Sequence, residues 1–188
     1  YYDYLKGYVI ALKKGTTAEA FFYFNRIIDE APKEEMEIMV LLAYTGMGIL
    51  YENIGEIQKA EYFFNKAITD VYRYPIKETH DIWRLLNIMY YCGSFYANIE
   101  DYQTSDALLT HGVEICSDNH VTYYLARITF QLAKNAVAQN KDCYEIMDLY
   151  YSTKAYAEIN KNMIELKALE DFKHELMEND AFSEIVLY

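Results

Sequence analysis

In "YENIGEIQKAEYFFNKAI", residues 51–68, a glycine separates two stretches whose apolar positions recur with helical period. Around Gly55 stand Tyr44, Met47, Gly48 and Tyr51 upstream, and Ala60, Phe64 and Ala67 downstream. The pattern predicts an antiparallel helical pair. Gly48 and Ala60 are small enough for the helices to approach closely, Tyr51 and Phe64 fill the space beside that contact, and Gly55 takes the left-handed conformation that ends the first helix. Shifted back by about 40 residues, the pattern recurs as Tyr4, Ala11, Gly15, Ala20, Phe24, Ile27 and Pro32. Shifted forward by about 45, it recurs as Met89, Cys92, Gly93, Tyr96, Ser105, Leu109 and Gly112, with Glu100 where the turn glycine stood. About 40 residues further on, Ala133 takes the small position and Asn140 the turn, asparagine being the next most tolerant of a left-handed backbone. Beyond the fourth unit, Met163, Ile164, Leu166, Leu169 and Phe172 stand amid charges and predict an amphipathic capping helix. The final "AFSEIVLY" is apolar enough to be expected against this chain or a partner.

This order of aromatic, small and turn positions resembles the tetratricopeptide (TPR) repeat, whose period is about 34 residues. The larger spacings here predict longer helices or connections between units. The resemblance implies an all-α fold, a right-handed superhelix of stacked antiparallel helix pairs with a C-terminal capping helix. It is expected as one domain over residues 1–188, with units near 1–34, 41–74, 86–119 and 126–160 and a cap over 161–188.

In TPR domains the first helix of each pair lines a concave groove. Carried over by position, the groove residues are Tyr2, Leu5, Val9, Leu12 and Lys13 in the first unit, and Leu42, Thr45, Ile49, Glu52 and Asn53 in the second. The third contributes Asn87, Tyr90, Ser94, Ala97 and Asn98, and the fourth Arg127, Phe130, Lys134, Val137 and Ala138. The expected peptide-binding set is Thr45, Glu52, Asn53, Asn87, Tyr90, Asn98, Arg127, Phe130 and Lys134. An asparagine amide can satisfy both the N–H and the C=O of an extended peptide backbone, and Arg127 and Lys134 can hold a carboxylate. Asn53 and Asn98 also lie near helix ends, where capping is the competing role.

Composition narrows the function classes. Seven glycines and two prolines leave few breakers for a β-rich fold of this length, 188 residues. A net charge of −12 repels phosphate backbones and disfavours direct nucleic-acid binding. No apolar run reaches the roughly 18 residues of a membrane span, and the amino terminus lacks a signal-peptide layout, so a soluble, cytoplasmic chain with no membrane contact is expected. Cys92, Cys116 and Cys143 are odd in number and widely spaced, fitting reduced thiols. There is no P-loop, GxGxxG or GxSxG. The group His111, Cys116, Asp118 and His120 has no familiar zinc spacing, and no cofactor, metal or enzymatic activity is expected.

The degenerate units near 40 residues apart, the many tyrosines, "YYLARITFQLAKN" and the terminal cap together resemble the C-terminal sensor domains of peptide-responsive transcription regulators of Gram-positive bacteria, the group that includes Rgg, PlcR, NprR and PrgX. That resemblance implies a homodimer that takes up a short quorum-sensing peptide in the groove. DNA binding would belong to an amino-terminal helix-turn-helix domain outside this sequence. The alternative is a TPR adaptor whose surface binds another folded protein.

Overall fold

The computed structural model describes residues 5–8, 10, 17–32 and 37–178. Tyr2, Val9, Leu12, Lys13, the turn at Gly15 and the apolar tail 181–188 lie outside the described residues. All regular structure among the described residues is helical. Helical residues 5–8 and 10 (α1) are followed by α2 (Thr17–Glu30), α3 (Ile38–Asn53), α4 (Ile57–Val71), α5 (Thr79–Asn98), α6 (Tyr102–Asp118), α7 (Leu125–Ala138), α8 (Cys143–Ile159) and α9 (Met163–Met177). The chain divides into two compact units, Tyr1–Phe95 and Tyr96–Tyr188.

Helix ends carry the periodicity. At the end of α3, the Gly55 N–H donates to the Glu52 carbonyl and the Glu56 N–H to the Tyr51 carbonyl, the paired closure of a Schellman turn. Gly55 has φ of +78°. The same pair of bonds closes α5 around Glu100 (φ +64°) and α7 around Asn140 (φ +52°), the positions aligned with Gly55 in the sequence pattern. The ends of α6 and α8 close likewise at His120 and Lys161. The excess over a 34-residue period lies in the 20-residue α5 and in the connections 72–78 and 119–124.

In the first unit, α3 packs on α2 and on α4. Ala20 and Ala60 are fully buried, as are the aligned Phe24 and Phe64. Each phenylalanine rests on a glycine of α3. A Cβ at Gly46 would come within 2.3 Å of the Phe24 ring, and one at Gly48 within 2.8 Å of the Phe64 ring. Phe64 also stacks on Phe95, centroids 4.5 Å apart.

In the second unit, α7 packs between α6 and α8, and α9 packs chiefly on α8. Between α6 and α7 lies a buried polar chain. The Asn135 amide nitrogen donates to Ser105 Oγ and Asp106 Oδ1, both at 2.8 Å, and Gln131 Nε2 donates to Asn135 Oδ1 at 3.0 Å. Thr153 Oγ1 donates to Thr129 Oγ1 at 2.9 Å, tying α8 to α7. Sliding either helix by a turn would strand these groups in the interior, so the network fixes register. Phe130, Ala133, Ala136, Ile146, Tyr150, Leu169, Phe172 and Leu176 form the apolar core that α9 completes. The expected capping helix is therefore present, with a different buried stripe. Met163 and Ile164 are exposed, and Glu165, Leu169, Phe172 and Leu176 face inward.

Two substitutions test this packing and turn chemistry by thermal and denaturant unfolding. Gly46→Ala is expected to destabilise by about 1–3 kcal/mol, because the overpacked Phe24 ring outweighs alanine's better helix propensity. Glu100→Gly is expected to stabilise by about 0.5–1 kcal/mol, since a left-handed residue with a Cβ is strained and glycine relieves it.

Candidate functional site

The sequence of α3, "IMVLLAYTGMGILYEN", is apolar on every side, and such a helix is buried on every side. Its expected groove positions Leu42, Thr45 and Ile49 are 0%, 1% and 5% exposed. Thr45 Oγ1 donates to the Leu41 carbonyl at 2.9 Å and reaches the Cys92 thiol. Burial pushes that thiol far above the usual range, and the Thr45 contact offsets only part of the shift, so Cys92 is held as an inert thiol. On α5, Asn87 is 3% exposed. Tyr8 of α1 and Tyr91 of α5 meet hydroxyl to hydroxyl, with their rings edge to face at 5.7 Å. Thr45 and Asn87 are thus interior residues, which corrects their placement on an accessible binding face.

Other expected residues remain accessible. In the first unit, Glu52 and Tyr90 are half-buried and Asn53 is exposed. In the second, Asn98 is exposed. Asn53 and Asn98 occupy the same place in two Schellman turns, two residues before Gly55 and Glu100. Backbone N–H groups close both turns, so neither cap requires the asparagine side chain. The Ser94 hydroxyl is buried with no hydrogen-bond partner, one turn along α5 from Tyr90.

The expected residues of α7 come together with a residue that the sequence pattern did not single out. Arg127, Phe130 and Lys134 follow at three and four residues and share one side of the helix. Arg127 Nε lies 3.2 Å from Glu165 Oε1 in the first turn of α9. The Lys134 ammonium sits 4.8 Å from the centre of the Phe130 ring, and that ring meets Phe172 edge to face at 5.4 Å. Phe130 is 8% exposed and belongs to the core, so it serves as the floor of the site and not as an open contact surface. Lys134 is exposed, yet its ammonium loses hydration where it lies on the ring. Desolvation lowers its pKa, and the Glu165 charge restores only part. Glu165 itself is only 8% exposed. The signal for it was present: 165, 169, 172 and 176 fall on one helical stripe, and its other three members are apolar.

Elsewhere, a cleft of about 220 Å³ opens in the first unit beside Ile38, Tyr74, Asp81 and Arg84. Its polar groups engage one another. Buried Asp81 accepts from the N–H groups of Lys77 and Glu78 and pairs with Arg84, each at 3.1 Å. Among the described residues no group of three or more His, Cys, Asp or Glu side chains could hold a metal ion. His111 pairs with Glu114 at 3.0 Å, and burial pushes the Cys116 thiol up to about 11. No described helix is long and apolar enough to cross a membrane. No protein-family model matches the chain, and no curated protein or solved structure is significantly similar to it.

The Lys134 environment makes a pH prediction. Its folded pKa lies below the usual lysine value of 10.5, so its charge opposes folding at neutral pH, and stability returns as pH rises from the lowered pKa towards 10.5. In melts from neutral to alkaline pH, Lys134→Gln is expected to lose this gain relative to the parent chain. Parallel pH profiles for the two proteins would contradict the desolvated ammonium.

Proposed function

We propose that this chain is the sensor domain of a peptide-responsive transcription regulator, built of TPR-like helix pairs and binding a short signalling peptide on α7 of the second unit. The observation that carries the reading is the row on α7. Two cations stand on one side of a helix above an aromatic floor, in a chain of net charge −12. A local positive site on an acidic protein selects for a carboxylate, which every unmodified peptide carries at its end. Asn98, exposed at the end of α5, carries an amide whose donor and acceptor groups match those of an extended backbone.

In this reading the working form is a homodimer, and DNA contact belongs to a segment outside this sequence. The peptide acts as a switch by binding one arrangement of the domain better than another, since a ligand shifts an equilibrium only by its differential affinity. The second reading, a TPR scaffold for a folded partner, draws on exposed Phe22 and Tyr62 of α2 and α4.

The test is calorimetric titration of the chain with octapeptides selected against it from a random display library. Arg127→Ala and Asn98→Ala are each expected to weaken binding about tenfold or more, a loss of about 1.4 kcal/mol. Thr45→Val should lower stability and leave the affinity of the folded protein intact. Peptides whose affinity survives both surface substitutions would overturn the reading.

A further inference from the structure

We infer that Glu165, on the capping helix α9, is a resident carboxylate that occupies the Arg127–Lys134 site and is displaced by the carboxylate of an incoming ligand. The inference rests on the peptide-sensing reading and adds how that site is regulated.

Packing does not explain the residue. Glu165 stands at the head of a stripe completed by Leu169, Phe172 and Leu176, all buried. A carboxylate taken out of water is costly unless paired, and an apolar side chain of similar volume usually serves a core at least as well. What the carboxylate does gain is Arg127 at 3.2 Å and the nearby charge of Lys134. One helix therefore supplies two parts of the site. Glu165 of α9 meets the arginine, while Phe172 of α9 backs the Phe130 ring beneath the lysine.

Lys134 feels the same carboxylate: desolvation on the Phe130 ring lowers its pKa, and the Glu165 charge offsets part of that shift.

Leu169, Phe172 and Leu176 anchor α9 in the core, whereas Glu165 stands in its first turn. The Glu165 side chain can leave Arg127 while the helix stays docked. The group that takes its place is a carboxylate, from a peptide C-terminus or from an acidic side chain.

The experiment uses the full chain and defined probes: N-acetyl-Ala-Phe-Leu-Phe with a free carboxylate, its C-terminal amide, and an amide of the same length ending in glutamate. Binding is followed through the NMR signals of the Arg127 Nε–H and the Lys134 ε-methylene. In Glu165→Gln the free-acid probe is expected to bind about tenfold tighter than in the parent chain, and the plain amide is expected to show no gain. The glutamate-bearing amide reports the source: a gain equal to that of the free acid means a side-chain carboxylate serves, and no gain means the terminus is required. Glu165→Asp, which keeps the charge, should stay close to the parent and controls for folding. Equal affinity of the acid probe for Glu165→Gln and the parent, or the same gain for acid and plain amide, would overturn the inference. So would a folded Glu165→Gln variant that leaves the Arg127 and Lys134 signals unmoved. These outcomes are separate from failure of the peptide reading, which is judged by the library peptides and by Arg127→Ala.

Discussion

The constraint on which the described helix reversals depend is the closure of a helix by one residue in the left-handed region. Five helix ends among the described residues use it, at Gly55, Glu100, His120, Asn140 and Lys161, and in each a pair of backbone N–H groups caps the carbonyls of the last turn. The geometry reverses the chain within a few residues, so α4 is delivered against α3, α7 against α6, α8 against α7 and α9 against α8. Only Gly55 adopts the conformation without strain. The other four pay for it locally, and the packing beyond each turn must hold them there.

In the first unit, the helices delivered by these turns meet through a repeated fit of an aromatic ring to an absent side chain. Phe24 rests on Gly46 and Phe64 on Gly48, so α3 lies close to both its neighbours and is buried along much of its length. In the second unit the interior is organised differently. The chain of Gln131, Asn135, Ser105 and Asp106 replaces apolar contact with hydrogen bonds that tolerate only one register. Arg127 and Lys134 are therefore presented from a helix packed on both flanks, by α6 and by α8.

Much of this was legible in the residues. Small and aromatic positions at Ala60 and Phe64 announced the helix pair, and the shifts to Glu100 and Asn140 found left-handed residues that no glycine marked. Accessibility was less legible, for two physical reasons. Groove positions taken from a repeat assume that first helices keep one face open, whereas the uninterrupted apolarity of "IMVLLAYTGMGIL" belongs to a helix enclosed all round, which removes Thr45 from the surface. A carboxylate within a charged helix also reads as solvated until its stripe is traced: Glu165 lies on the buried stripe of α9, whereas the apolar Met163 and Ile164 are exposed. Arg127 and Lys134 do share one side of α7, and Asn98 is exposed at the end of α5, because charged and amide side chains on a helix with one buried face have few other places to go.

If a short peptide is held on α7 beside the head of α9, its binding must slow amide exchange there. Hydrogen–deuterium exchange of the chain, with and without a saturating library-selected octapeptide, measures this. Added protection is expected along α7 around Arg127–Lys134, together with a change in the first turn of α9 at Asn162–Glu165. Protection confined to the outer faces of α2 and α4, with α7 and α9 unaltered, would place the peptide elsewhere and refute its seat on α7.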